Sequence, residues 1–132
     1  LSPGVSSLER DLFPRLASDE HAFGVQVEGE FVDAGTPESW IEAVALAISR
    51  CHERDGSSGD AWIHPESVVG PEVRITGSAI GAGVRIAPGS VIIDCDIQAG
   101  AVIEDECHLE RCLIGPNVVV EQGTRLDGAV LA

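Results

Sequence analysis

Aliphatic residues fall on a regular beat through the second half of the chain. They stand at Ile63, Val69, Ile75, Ile80, Ile86, Ile92, Ile97, Ile103, Leu109, Ile114, Val120, Leu126 and Leu131. The steps run six, six, five and then repeat, so Ile63, Ile80, Ile97, Ile114 and Leu131 are each 17 residues apart. Val, Ile and Leu supply 23 of the 70 residues from Ile63 to Ala132. Thirteen hits would then arise by chance roughly once in a million, before allowing for choice of frame. A six-residue module is too short for a helix and its return, but it fits a short strand and a corner. Three modules close one triangular coil, and coils stack at the ~4.8 Å strand spacing, so equal side chains form ladders along the axis.

The polar and small positions agree with that geometry. Gly83, Gly89, Gly100, Asn117 and Gly123 occupy the fourth place of their modules, where a corner needs the left-handed backbone that Gly and Asn adopt most cheaply. The fifth place, also inward, holds small or branched residues: Ser67, Val73, Val84, Ser90, Ala101, Val118 and Thr124. Cys107 takes the same place and is expected in the core. The five-residue modules set Ser78, Cys95, Cys112 and Ala129 at equivalent points, which makes Cys95 and Cys112 neighbours on successive coils. Their spacing permits a disulfide; two small residues in a packed ladder is the preferred reading.

The first half has a different rhythm. Ser6-x-x-Glu9 reads as a capping box before a short helix with Leu8, Leu12 and Phe13 apolar, which Pro14 interrupts or restarts. Ala22 to Asp33 alternates enough (Phe23, Val25, Val27, Phe31) to predict two strands around Glu28-Gly29. Thr36 then caps a helix with Pro37 at its first position, running to about His52. Trp40, Ile41, Val44, Ile48 and Cys51 form its apolar face. Three regions follow: 1–52, a linker at 53–61 containing the polar run Glu53 to Asp60, and the coils from 62 to 132.

Composition narrows the partners. With 22 acidic and 8 basic residues the net charge is −14, which opposes nucleic acid and anionic lipid surfaces. No apolar run approaches the ~18 residues of a membrane span. The start, LSPGVSSLERD, lacks the basic and apolar regions of a signal peptide. The cysteines at 51, 95, 107 and 112 lack the CxxC spacing of zinc sites, so reduced thiols and a cytoplasmic location are expected. The chain has no methionine and stops two residues into a fifth coil. Both features lead us to expect a piece of a longer protein.

The modules match the hexapeptide-repeat pattern, aliphatic–small or acidic–x–x–small–x, most fully at Val69, Ile80, Ile86, Ile114 and Val120. That resemblance implies a left-handed parallel β-helix with 17-residue coils; general crossover chirality alone would suggest the opposite hand. SLERDLFPRLA followed by GEFVDAGTPESWIEA resembles the end of the catalytic domain of sugar-phosphate nucleotidyltransferases, and within them the mannose-1-phosphate guanylyltransferase branch. Those enzymes carry a hexapeptide β-helix after such a domain. The implied fold class is therefore an α+β remnant of a nucleotidyltransferase domain at 1–52, followed by the β-helix at 62–132.

In that family a sugar 1-phosphate attacks the α-phosphorus of a nucleoside triphosphate and expels pyrophosphate, and Mg2+ neutralises charge on phosphoryl oxygens. The resemblance assigns a metal ligand to Asp33, the substrate turn to Gly35 and Thr36, and a sugar contact to Glu9. Phe31 stands where many relatives have Trp. On residues alone, Asp33 need only end a strand and Thr36 need only cap a helix. The family's Gly-rich loop with its Arg, its first metal aspartate and its sugar-phosphate Glu–Lys pair are absent from these 132 residues. Positioning supplies most of the rate in phosphoryl transfer. This chain alone is therefore expected to be inactive, a structural and homo-oligomerising piece of an enzyme for which GTP and a sugar 1-phosphate are the implied substrates.

Two other classes compete. A hexapeptide acyltransferase would use a histidine as base, His64 or His108, although no long excursion loop is present to build an acyl-CoA groove. A non-catalytic regulatory or assembly subunit would share the same fold. The acidic run Glu104-Asp105-Glu106 offers either a cation site or a solvated corner.

Overall fold

The computed structural model describes residues 7–55 and 59–132, which form two compact units, Leu1–Phe31 and Val32–Ala132. In the first unit a π-helical turn, Leu8–Leu12, runs into helix α1, Phe13–Ser18. Pro14 lies in the first turn of α1, where its missing N–H costs nothing. The wider turn before it, with the Phe13 N–H reaching back to the Leu8 carbonyl, relieves the crowding that a proline ring imposes on the preceding turn. Ser7 is the cap, its hydroxyl accepting from the Arg10 N–H at 3.3 Å; Ser6, the cap expected from the sequence, lies outside the described residues.

The two strands expected between Ala22 and Asp33 do not form. Residues 21–35 have no regular structure, and Phe23, Val25, Val27 and Phe31 are 84–90% exposed. An isolated two-stranded hairpin is marginal in water, and alternation has value only where one face meets a core. Among the described residues of this unit nothing supplies that core.

The second unit carries helix α2, Pro37–Asp55, and, among the described residues, thirteen short strands numbered in chain order. The helix runs three residues past His52, into the stretch read from sequence as linker. The strands sort into three wholly parallel sheets. The first holds β1 (Trp62–Ile63), β4 (Ala79–Ile80), β7 (Asp96–Ile97), β10 (Leu113–Ile114) and β13 (Val130–Leu131). The second holds β2 (Val68–Val69), β5 (Arg85–Ile86), β8 (Val102–Ile103) and β11 (Val119–Val120). The third holds β3 (Arg74–Thr76), β6 (Val91–Ile93), β9 (His108–Glu110) and β12 (Arg125–Asp127). Each strand pairs with the one a coil away, and Ile63, Ile80, Ile97, Ile114 and Leu131 stand in one register column. Val69, Ile86, Ile103 and Val120 form a second column, and Ile75, Ile92, Leu109 and Leu126 a third. From Trp62 onward the chain is a parallel β-helix of about four 17-residue coils.

Burial follows position along the axis. Ile80, Ile92, Ile97, Ile103, Leu109 and Ile114 are wholly buried, whereas Ile63 and Val69 in the first coil are 43% and 39% exposed. The five Gly and Asn residues at fourth places take positive φ, from 59° at Asn117 to 74° at Gly100, and so do Glu72 and Glu106 at the same place, at 60° and 57°. The five-residue modules turn at their third place instead, where Gly77, Asp94, Arg111 and Gly128 have φ between 50° and 66°.

The cysteine question resolves toward packing. All four thiols are free, and Cys95, Cys107 and Cys112 are buried. The column of Ser78, Cys95 and Cys112 is stitched by side chains. The Cys95 N–H donates to Ser78 Oγ at 2.9 Å and the Cys112 N–H to Cys95 Sγ at 3.3 Å. Burial pushes the Cys95 thiol up to about 12 and raises that of Cys107. Neutral thiols filling a ladder suit those values; reactive thiolates do not.

Candidate functional site

The corner at Asp33-Ala-Gly-Thr-Pro is built by the start of α2. Thr36 Oγ1 accepts from the Ser39 N–H at 3.2 Å, and Ser39 Oγ accepts from the Thr36 N–H at 3.0 Å. This reciprocal pair satisfies donors that the first helical turn leaves open, and Pro37 at the next position has no N–H to lose. The Trp40 N–H closes the first helical bond onto the Thr36 carbonyl at 2.9 Å. Glu38, exposed in that first turn, has its pKa lowered by its own backbone N–H and then by the Thr36 hydroxyl.

Asp33 precedes this turn with its carboxylate exposed to solvent. Its Oδ1 lies 3.4 Å from where a Cβ on Gly35 would stand, an ordinary van der Waals distance, and with glycine there no side chain touches that oxygen from this position. The structure therefore brings Asp33, Gly35 and Thr36 together on one corner. As a donor set this is a single hard carboxylate, the type Mg2+ accepts when water and phosphate oxygens complete its shell. Among the described residues no group of three or more His, Cys, Asp and Glu side chains is arranged to hold a metal.

Glu9 belongs to the first unit, exposed on the π-helical turn. It accepts from the Ser7 hydroxyl at 2.6 Å, and that bond, followed by its own backbone N–H, lowers its pKa. The two histidines lie on different sheets. His64 follows β1, accepts from the Glu66 N–H through Nδ1 at 3.1 Å and meets Trp62 edge-on at 5.8 Å. His108 sits in β9 on the third sheet. Glu104, Asp105 and Glu106 form a corner in which Glu104 accepts from the Gln122 N–H, while Asp105 and Glu106 are exposed.

One contact ties the corner to the coils. The Trp40 indole N–H donates to Asp96 Oδ2 at 2.9 Å, joining the first turn of α2 to the first sheet. Sequence reasoning missed it, because 56 residues separate the partners. A signal was present: Asp96 interrupts an otherwise apolar outward column of Trp62, Ala79, Leu113 and Val130, and a carboxylate there needs a polar partner. Farther along the helix, Val44, Ile48 and Cys51 share an apolar gap of about 230 Å3 with Trp62 and Ala79. Trp40→Phe keeps an aromatic side chain, a phenyl in place of the indole, and deletes the donor, so it is expected to cost about 1 kcal/mol. Urea unfolding measures this; an unchanged midpoint would mean the bond does not persist in solution.

No family model matches this chain. It does align with mannose-1-phosphate guanylyltransferases from plants, animals and bacteria. The probable mannose-1-phosphate guanylyltransferase 3 of Oryza sativa subsp. japonica is 25% identical over 126 residues, covering 96% of this chain and 33% of the relative. The catalytic subunit beta of Danio rerio is 26% identical, covering 96% of this chain and 38% of that protein. The mannose-1-phosphate guanylyltransferase of Mycobacterium tuberculosis is 30% identical over 111 residues, 80% of this chain and 31% of the relative. The chain thus spans about a third of the length of the curated relatives it matches. No described helix is long and apolar enough to cross a membrane.

Proposed function

We propose that this chain is the C-terminal part of a sugar-1-phosphate nucleotidyltransferase that makes GDP-mannose from GTP and mannose 1-phosphate. One combination carries the reading. The Asp33–Thr36 corner, its helix and the β-helix follow one another in a chain that aligns over nearly all its length with guanylyltransferases while covering about a third of each.

In this reading Asp33 would hold Mg2+, which when bound would offset charge on the phosphoryl oxygens. Gly35 leaves room for the substrate beside that oxygen, and Thr36 fixes the helix start behind it. Glu9 contacts the sugar. The groups that cradle the triphosphate and the sugar phosphate are not among these 132 residues, which contain no lysine at all. The chain alone is therefore inactive, and its part is structural: the β-helix supports the catalytic domain and joins copies into an oligomer. Four unbridged thiols support a reducing, cytoplasmic setting.

The test is pyrophosphate release from GTP and mannose 1-phosphate with Mg2+. The 132-residue chain is expected to release none. The complete protein is expected to turn over, and Asp33→Asn within it to fall roughly tenfold to a hundredfold in kcat, with a raised Mg2+ requirement. Turnover by the isolated chain, or an unimpaired Asp33→Asn enzyme, would sink the reading.

A further inference from the structure

The outward faces of the three sheets differ in kind. The first presents Trp62, Ala79, Asp96, Leu113 and Val130, and α2 engages it through Trp40 and Ile48. The third presents mostly polar residues, among them Arg74, His108, Arg125, Glu110 and Asp127. The second presents Val68, Arg85, Val102 and Val119, and Val68 and Val119 are 61% and 56% exposed. A shallow groove of about 570 Å3 runs along this face, from Val68 and Pro71 past Arg85 to Glu104 and Asp105. Arg85 is exposed and makes no ion pair among the described residues, in a chain of net charge −14.

We infer that a second copy of this chain docks on the second sheet's outward face, with the two β-helices running antiparallel. This rests on the reading of the β-helix as the oligomerising part and names the surface it uses. The order of the column selects the direction. A parallel copy sets Arg85 against Arg85, and like charges in contact disfavour that pairing. An antiparallel copy reads Val-Val-Arg-Val against Val-Arg-Val-Val. Val68 then meets the second copy's Val119, and Arg85 meets the coil that carries the second copy's Val102, Glu104 and Asp105. The unpaired arginine gains carboxylates twice over, once in each direction, as a two-fold interface requires.

Size sets the expected strength. Four coils at ~4.8 Å span ~14 Å between Val68 and Val119, and a side of about five residues is ~17 Å wide. That is roughly 250 Å2 per copy, below the ~1,000 Å2 total of standard interfaces, so the dimer is weak and salt-dependent.

Sedimentation equilibrium of the chain, followed into the millimolar range at low and high salt, tests this. A monomer–dimer equilibrium weakened by salt is expected. Arg85→Glu and Asp105→Arg each weaken it about tenfold, and mixing the two variants restores it, because each then offers the charge the other lacks. Both side chains are exposed, and circular dichroism checks that the coils remain. Val119→Asp, which leaves the charge pair in place, is also expected to lower dimerisation. A chain that stays monomeric at every concentration overturns both this surface and the oligomerising role. A dimer indifferent to all three substitutions overturns the surface alone. If Arg85→Glu pairs better with the wild-type chain than either does with itself, the copies are parallel and the proposed direction is wrong.

Discussion

Replacing Ile97 by alanine is expected to remove about 3–4 kcal/mol of stability, whereas Ile63→Ala, at the same inward place two coils earlier, costs about 1 kcal/mol. Ile97 is wholly buried, with Ile80 and Ile114 in register on either side. Deleting its outer carbons leaves a hole that stacked backbones cannot close, since the coils are fixed at strand spacing by hydrogen bonds on all three sheets. Ile63 has a neighbouring coil on one side and is 43% exposed, so truncation there returns surface to water and leaves little cavity. Domains of this size are stable by only about 5–10 kcal/mol, so the Ile97 substitution removes a large share of the total. Repeat architectures divide stability between nearest neighbours, which is why position along the axis decides the cost. Urea unfolding of both variants gives the comparison. Equal losses would contradict the ladder as the source of stability.

How much of this was legible in the sequence depended on whether a residue's role was periodic or private. The three inward columns were readable because one side-chain type recurs at one spacing, and the paired strands follow it residue for residue. Five fourth-place corners were readable because Gly and Asn mark positive φ. Corners were missed at Glu72, Asp94, Glu106 and Arg111, where residues other than Gly and Asn turn left-handed under the constraint of neighbouring coils. The alternation from Ala22 to Asp33 misled for the opposite reason: a strand pattern was present without a core to use it. At the candidate site, the Thr36 cap and the placing of Asp33 beside Gly35 were local and readable. The Trp40–Asp96 bond was not, because it depends on where α2 lies against the coils, and no local spacing encodes that.

The buried thiols lead to a second large effect, a loss of stability in alkali that few proteins would show so cleanly. Between about pH 8.5 and 12 the side chains that titrate in an unfolded chain are Cys, Tyr and Lys. This chain has no tyrosine, and all 8 of its basic residues are arginine, which keeps its charge throughout. Cysteine is therefore the side chain whose titration couples to folding in that window. Burial raises Cys95 from its ordinary value of 9.0 to about 12, and raises Cys107 in the same direction. The sign follows: above pH 9 the unfolded chain releases thiol protons that the native chain retains, so the unfolded state gains. The stabilisation is complete below about pH 8.5 and is lost as pH climbs toward 12, at about 1.4 kcal/mol per pH unit for each such thiol. For Cys95 this accumulates to about 4 kcal/mol over the window. Urea midpoints measured from neutral pH upward should stay level and then fall. Cys95→Ser should make that fall shallower, since a hydroxyl does not titrate there. Ser78 shows that the column accepts serine, its Oγ taking the Cys95 N–H as Cys95 Sγ takes that of Cys112. A midpoint that stays level into strong alkali, or a slope that Cys95→Ser leaves untouched, would show that the column is not dry enough to hold its protons.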